Sequence, residues 1–188
     1  MNYEIISADR HIDLPWLPER LFVDNASAEF KDRMRFVTAS NRGRVWATKN
    51  GADFGLKNGM GSAGREYKPR QIHRSDRMAS KGLLADGLNG IDRLTIPELR
   101  IRDQDIDGVQ AEVLYGILGA AKRIGDDDAA AEMMRIYNEW LAQFCATHPE
   151  RFAGIASIPN RNVDDAVREM DRVMQRGVCF VKPAHSAS

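Results

Sequence analysis

The stretch IYNEWLAQFCATHPERFAGIASIPNRNVDDAVREM, residues 136–170, carries the periodicities of three successive elements. Tyr137, Trp140, Leu141, Phe144 and Cys145, with Met133 just upstream, recur at helical spacing and predict one wide apolar face. Asp126–Asp128 stand ahead of that face, where acids suit the positive end of a helix dipole. A His148-Pro149 turn follows, and His148 is expected to lie against the dipole at the helix C-terminus. Phe152–Pro159 (FAGIASIP) is short, apolar and bounded by turn residues, as a buried strand is. Asn162 is a capping residue, and Val163, Ala166, Val167, Met170, Val173 and Met174 predict the apolar face of a second helix that Gly177 ends.

The same alternation continues outward. Val178–Val181 (VCFV) reads as a strand, and so does Val109–Tyr115 (VQAEVLY). Between residue 95 and Gly108, a capping-box signature (Thr95-Ile96-Pro97-Glu98) opens a helix with Leu99, Arg102 and Ile106 on one face. Residues 3–9 (YEIISAD) predict a first buried strand through Ile5 and Ile6, and ASAEFKDRM (26–34) a short helix. Phe36–Thr38 and Val45–Ala47 flank the polar turn SNRGR, a hairpin signal. Residues 49–90 hold eight of the fifteen glycines and show no periodicity, so about 35–94 reads as an insertion after the first strand, a hairpin followed by irregular loop. The expected order is strand, insertion, then three helix–strand pairs. Short apolar strands alternating with amphipathic helices make right-handed βαβ units and a parallel sheet, an α/β fold in one domain over 1–188.

Bulk composition narrows the partners. The chain has 188 residues with 27 basic and 27 acidic side chains, so its formal net charge is zero. That balance gives no general argument for nucleic acid or an anionic membrane surface as partner, and neither is expected. Residues 57–82 carry seven Lys/Arg against two acids, but Tyr67 is their one aromatic, and they read as a solvated loop rather than a base-stacking surface. No apolar run reaches the roughly 18 residues that span a bilayer, and the N-terminus has neither a basic n-region nor a long apolar h-region. A cytoplasmic protein is expected, with Cys145 and Cys179 as buried thiols.

Function points to the first strand. In IISADRHIDLP (5–15), residues i and i+2 of a strand project to one face, so Asp9 and His11 converge at its C-terminal end, with Arg10 directed the other way. In parallel α/β folds ligands bind at that end. A carboxylate and an imidazole suit zinc, manganese or iron. On spacing alone, Asp-x-His fits equally a turn or cap beside a surface histidine. Neither a phosphate-binding glycine loop nor a nucleophile elbow, CxxC pair or HExxH is present, GLKNGMGSAG (55–64) included.

IISADRHIDLP resembles the first strand of the amidohydrolase superfamily, in the amidohydrolase-related branch that includes aminocarboxymuconate-semialdehyde and resorcylate type decarboxylases. DQDIDGVQAEVLYG (103–116) is similar to that family's second-strand stretch, residues 136–170 to its next helix–strand–helix block, and FVTASNRGRVWATKNG (36–51) to an insertion that several members carry. The resemblance implies a metal-dependent (β/α)8 TIM-type barrel. In it a first-strand pair, here Asp9 and His11, binds one divalent ion (zinc, with manganese the alternative) together with a histidine of the fifth strand and an aspartate of the eighth. It implies a hydrolase acting on a small carboxylated molecule or, alternatively, a non-oxidative decarboxylase, with Tyr115 lining the substrate pocket. Such a barrel takes about 250 residues, and only four strands can be counted. The chain therefore reads as the N-terminal half, with no counterpart of the later ligands. The expectation is an open half-barrel that forms a homo-oligomer, or a catalytically inactive fragment. Lys182 (the position of a carboxylated lysine in some superfamily members), His73 and His185 are not expected to be ligands.

Overall fold

A computed structural model describes residues 3–41, 43–57, 86, 89–176 and 180–183. Four strands, β1 (Ile6–His11), β5 (Ala111–Tyr115), β6 (Phe152–Ile158) and β7 (Phe180–Pro183), form a parallel sheet in the order β1-β5-β6-β7. Three others, β2 (Phe36–Ser40), β3 (Gly43–Ala47) and β4 (Asp53–Leu56), form an antiparallel sheet. The described helices are α1 (Leu21–Asn25), α2 (Pro97–Asp107), α3 (Leu118–Lys122), α4 (Asp127–Ala146) and α5 (Val163–Met174). The α/β class with a parallel sheet is as the alternation requires.

The core lies between α4 and the strands it follows and precedes. Met133, Ile136, Tyr137, Leu141 and Phe144 of α4 are buried against Leu114 and Phe152. Gly154 of β6 has no side chain because Leu141 fills its place: a Cβ there would lie 3.0 Å from Leu141 Cγ and 3.2 Å from Cys145 Sγ. The antiparallel sheet is not a separate unit. Trp46, with Met34 and Phe22, belongs to the same apolar cluster as Ile12, Leu14 and Ile117. The insertion is thus a lid of core, anchored by the segment that leaves β1.

Helix ends follow local chemistry. Asp126 caps α4, accepting from Ala129 N at 3.1 Å, and Asn162 caps α5, accepting from Asp165 N at 2.8 Å. Gly108 closes α2 at φ +69°, where a side chain would be strained. Asp126 also takes Arg33, with Nε donating at 2.6 Å, and that guanidinium holds its carboxyl below the usual range. A lowered value stabilises the fold above the ordinary carboxylate pKa and is lost as pH falls through the lowered one. Asp126→Asn keeps a capping oxygen and removes the charge. It should cost about 0.5–1 kcal/mol at pH 7. Urea titrations should show the two proteins converging as acid protonates Asp126.

The structure departs from expectation where tertiary ties rotate an element. On α2 the buried residues are Arg100 and Gln104, while Ile106 is 68% exposed. Arg100 is drawn in by Glu112 (Nε to Oε2, 2.6 Å), and Gln104 Oε1 accepts from Arg151 Nε at 3.1 Å. On α5, Val163, Val167, Met170 and Met174 are exposed, and Ala166, Glu169 and Val173 face inward. The cause is Asn138. Its Nδ2 donates to Ser157 O (2.8 Å) and to Glu169 Oε1 (2.6 Å), and its Oδ1 accepts from Ser157 N (2.8 Å), tying α4, β6 and α5. A satisfied buried polar network sets the inward face, and the apolar stripe is left toward solvent.

Other corrections are local. The first strand begins at Ile6 and extends through His11, and Ile5 and Ile6 are about half exposed rather than buried. Residues 26–34 are not a helix. α1 ends before them and a single 3₁₀ turn, Lys31–Arg33, follows. No side-chain cap opens α2. Thr95 sits in a 3₁₀ turn and donates to Trp16 O and Asp92 O. The hairpin gains a third strand, β4, within the stretch read as irregular. His148 faces Glu150 (3.5 Å) and the edge of Phe152, beyond the end of α4. Cys179, His73, His185 and Gly177 lie outside the described residues. Among the described residues no helix is long and apolar enough to cross a membrane.

Candidate metal and substrate site

β1 and β5 pair in parallel with Ser7 opposite Glu112 and Arg10 opposite Leu114. Three steps along β1 therefore match two along β5, which makes a β-bulge. The bulge resets which face each side chain takes. Ser7 and Arg10 fall on the helix-covered side, where Arg10 Nε donates to Ser7 Oγ (2.9 Å) and lies 3.1 Å from Glu112 Oε1. Glu112, buried, also receives Arg100, so one carboxylate ties β1, α2 and β5. Arg10 does point away from its neighbours, as the spacing implied.

Regular alternation returns from Asp9 onward, and Asp9 and His11 share the face opposite Arg10. His11 Nε2 lies 3.2 Å from Asp9 Oδ1. Register sets His11 directly opposite Tyr115, and the two rings meet edge-on with centroids 4.5 Å apart. The Tyr115 hydroxyl donates to Asp9 Oδ1, a bond that raises the phenol pKa. All three residues singled out in the sequence are thus brought together at the C-terminal ends of neighbouring parallel strands.

Asp13 was missed. It lies 3.6 Å from His11 Nδ1 in extended backbone. Its signal was legible, because Asp9, His11 and Asp13 continue one period-2 register. Asp13, opposed by partial burial and supported by Asp9, raises the His11 pKa. Lys182 of β7 pairs through its backbone with Ser157 of β6; its side chain lies outside the described residues.

The donor set fits a divalent ion in part. Two ligands sharing an ion at about 2.0–2.2 Å each stand roughly 3–3.5 Å apart in tetrahedral geometry, and the Asp9–His11 separation of 3.2 Å is of that size. A carboxylate at the second imidazole nitrogen is the usual support of a histidine ligand. Among the described residues no group of three or more His, Cys, Asp or Glu is placed to hold a metal. Asp9 and His11 therefore supply at most part of a coordination shell.

No family model matches the chain. A gamma-resorcylate decarboxylase of Polaromonas sp. is 33% identical over 82 residues, 44% of this chain and 25% of that protein. One from Rhizobium radiobacter is 33% identical over 79 residues. The chain thus matches about a quarter of the length of these curated relatives. In fold, an amidohydrolase from Mycobacterium avium subsp. paratuberculosis superposes with a TM-score of 0.62 at 16% identity, covering 95% of this chain and 48% of that one. Over less than half of its length the chain is thus similar in sequence to gamma-resorcylate decarboxylases, and in fold it is similar to the mycobacterial amidohydrolase.

Proposed function

We propose that this chain supplies the first metal-binding strand of a divalent-metal-dependent carboxy-lyase that removes CO2 from a small aromatic acid. The observation that carries the reading is the Asp9–His11–Tyr115 cluster at the C-terminal ends of β1 and β5. The 33% identity to gamma-resorcylate decarboxylases favours decarboxylation. Hydrolysis of a C–N or C–O bond is the second reading, favoured by the fold likeness to the mycobacterial amidohydrolase.

Asp9 and His11 would hold the ion through the carboxylate and Nε2. An ion there, zinc or manganese, supplies positive charge that draws an anionic substrate and stabilises negative charge developing on it. Asp13 holds the His11 ring with Nε2 directed at Asp9. Tyr115 fixes Asp9 by its hydroxyl and walls the site with its ring, where an aromatic substrate would pack. A full barrel, with its remaining ligands and an oligomeric assembly, belongs to this proposal as well.

Metal analysis tests the site without relying on turnover. After equilibration with Zn(II) or Mn(II) and gel filtration, the chain should retain metal that an Asp9→Asn/His11→Ala variant loses, with apparent affinity reduced at least about 10–100-fold. Equal retention by both would refute the assignment. Release of CO2 from 2,6-dihydroxybenzoate by metal-loaded protein, set against hydrolysis of amide substrates, separates the two reactions.

A further inference from the structure

Arg35 is fully buried, and among the described residues none of its three guanidinium nitrogens has a hydrogen-bond partner. Its guanidinium carbon stacks 3.4 Å from the centroid of the Phe54 ring. Trp46 is also fully buried, and its indole Nε1 is likewise without a partner among the described residues. These two are neighbours by register. Val37 opposes Trp46 and Phe36 opposes Ala47, so Arg35, two residues before Val37, is diagonal to Trp46 on the same face of the antiparallel sheet. That is the face whose Val37, Trp46 and Phe54 pack into the core.

The unmet groups here are all donors. A guanidinium carries five N–H groups and an indole one, and neither accepts. An aromatic face offsets part of the cost of burying the charge but satisfies no N–H. Two acids of adjoining segments are engaged elsewhere: Lys49 takes Asp32, and Arg33 with Ala129 N takes Asp126. Burial, with the positive charge of Arg123 in the turn between α3 and α4 adding to it, pushes the Arg35 pKa down to about 9. A site made only of donors and positive charge asks for an acceptor carrying negative charge.

We propose that the core-facing side of the antiparallel sheet binds a compact monoanion, a halide or a small carboxylate such as formate, held by the Arg35 guanidinium over Phe54 and by the Trp46 indole N–H. The site stands apart from the metal reading. It requires no ion at Asp9 and His11 and is read by stability alone.

The test is thermal unfolding of the metal-free chain at constant ionic strength, with chloride or formate replacing bulky isethionate. The midpoint should rise with the logarithm of anion concentration, by about 2–4 °C at a few times Kd. Arg35→Met should abolish the dependence while unfolding in isethionate at or above the wild-type temperature, because no buried charge is then left unpaired. Trp46→Phe should keep the dependence at weaker apparent affinity. A response to chloride alone, or to formate alone, supports the site and identifies its occupant. A wild-type midpoint insensitive to both anions overturns the proposal, and so does an Arg35→Met variant that keeps the dependence. Occupancy by one of the chain's own carboxylates would show as the insensitive case.

Discussion

Glu112→Ala should destabilise the fold by about 3–5 kcal/mol, the usual cost of removing one member of a buried ion pair. Arg100 is 4% exposed, and its Nε donates to Glu112 Oε2 at 2.6 Å. Without Glu112 that guanidinium keeps the Leu94 carbonyl, at 3.1 Å, but loses its counter-charge. Arg10 loses its 3.1 Å partner at the same time. The damage is that of a stranded charge. An Arg100→Met/Glu112→Leu double variant should therefore lose far less than the sum of the single changes. A double-mutant cycle by urea denaturation measures the difference. Additive single effects would show that the pair is not coupled. Because Arg10 adjoins Asp9 and His11, the single Glu112 variant should also weaken metal retention relative to wild type.

Gly116→Ala is expected to cost about 3 kcal/mol, the upper part of the range for forcing atoms into a packed interior. The reason is space, not backbone conformation. A Cβ on Gly116 would overlap the Ile12 carbonyl oxygen and stand 2.8 Å from the carbonyl carbon and 2.9 Å from the Tyr137 hydroxyl. Two of those atoms are backbone and cannot rotate away. The Tyr137 hydroxyl, fully buried, donates to the same Ile12 carbonyl at 3.4 Å. Relief therefore requires the segment after β1 to move, and Ile12 follows His11 directly. Gly119→Ala is the control. Among the described residues nothing lies within 4 Å of its added Cβ, and it sits in α3. That change should be neutral or stabilising by up to about 1 kcal/mol. Equal denaturation midpoints for the two variants would contradict the packing argument.

Much of the candidate site was legible. Asp9 and His11 are two apart on a strand, and that spacing alone places them on one face. Asp13 extends the same period. Tyr115 was marked by its place at the end of a neighbouring strand, but its bond to Asp9 crosses 106 residues and depends on register. The bulge between Ser7 and Arg10 was not legible, since one extra residue in β1 is defined only against its partner β5. Nor was the buried Arg35. In sequence it is one more basic residue beside a hairpin.

By itself the sequence determined what neighbours within a few residues decide. The alternation of helix and strand, the caps at Asp126 and Asn162, the left-handed stop at Gly108 and the shared face of Asp9 and His11 are local matters of period and hydrogen bonding. The tertiary structure alone decided which face of α2 and α5 turns inward, that β4 joins the hairpin, and that Tyr115 reaches Asp9. For the two helices the deciding energy comes from buried polar groups finding partners outside the helix. Glu112 draws in Arg100, and Asn138 draws in Glu169. A buried donor or acceptor left unmet costs more than an apolar side chain left in water, so these distant ties outweigh the local stripe.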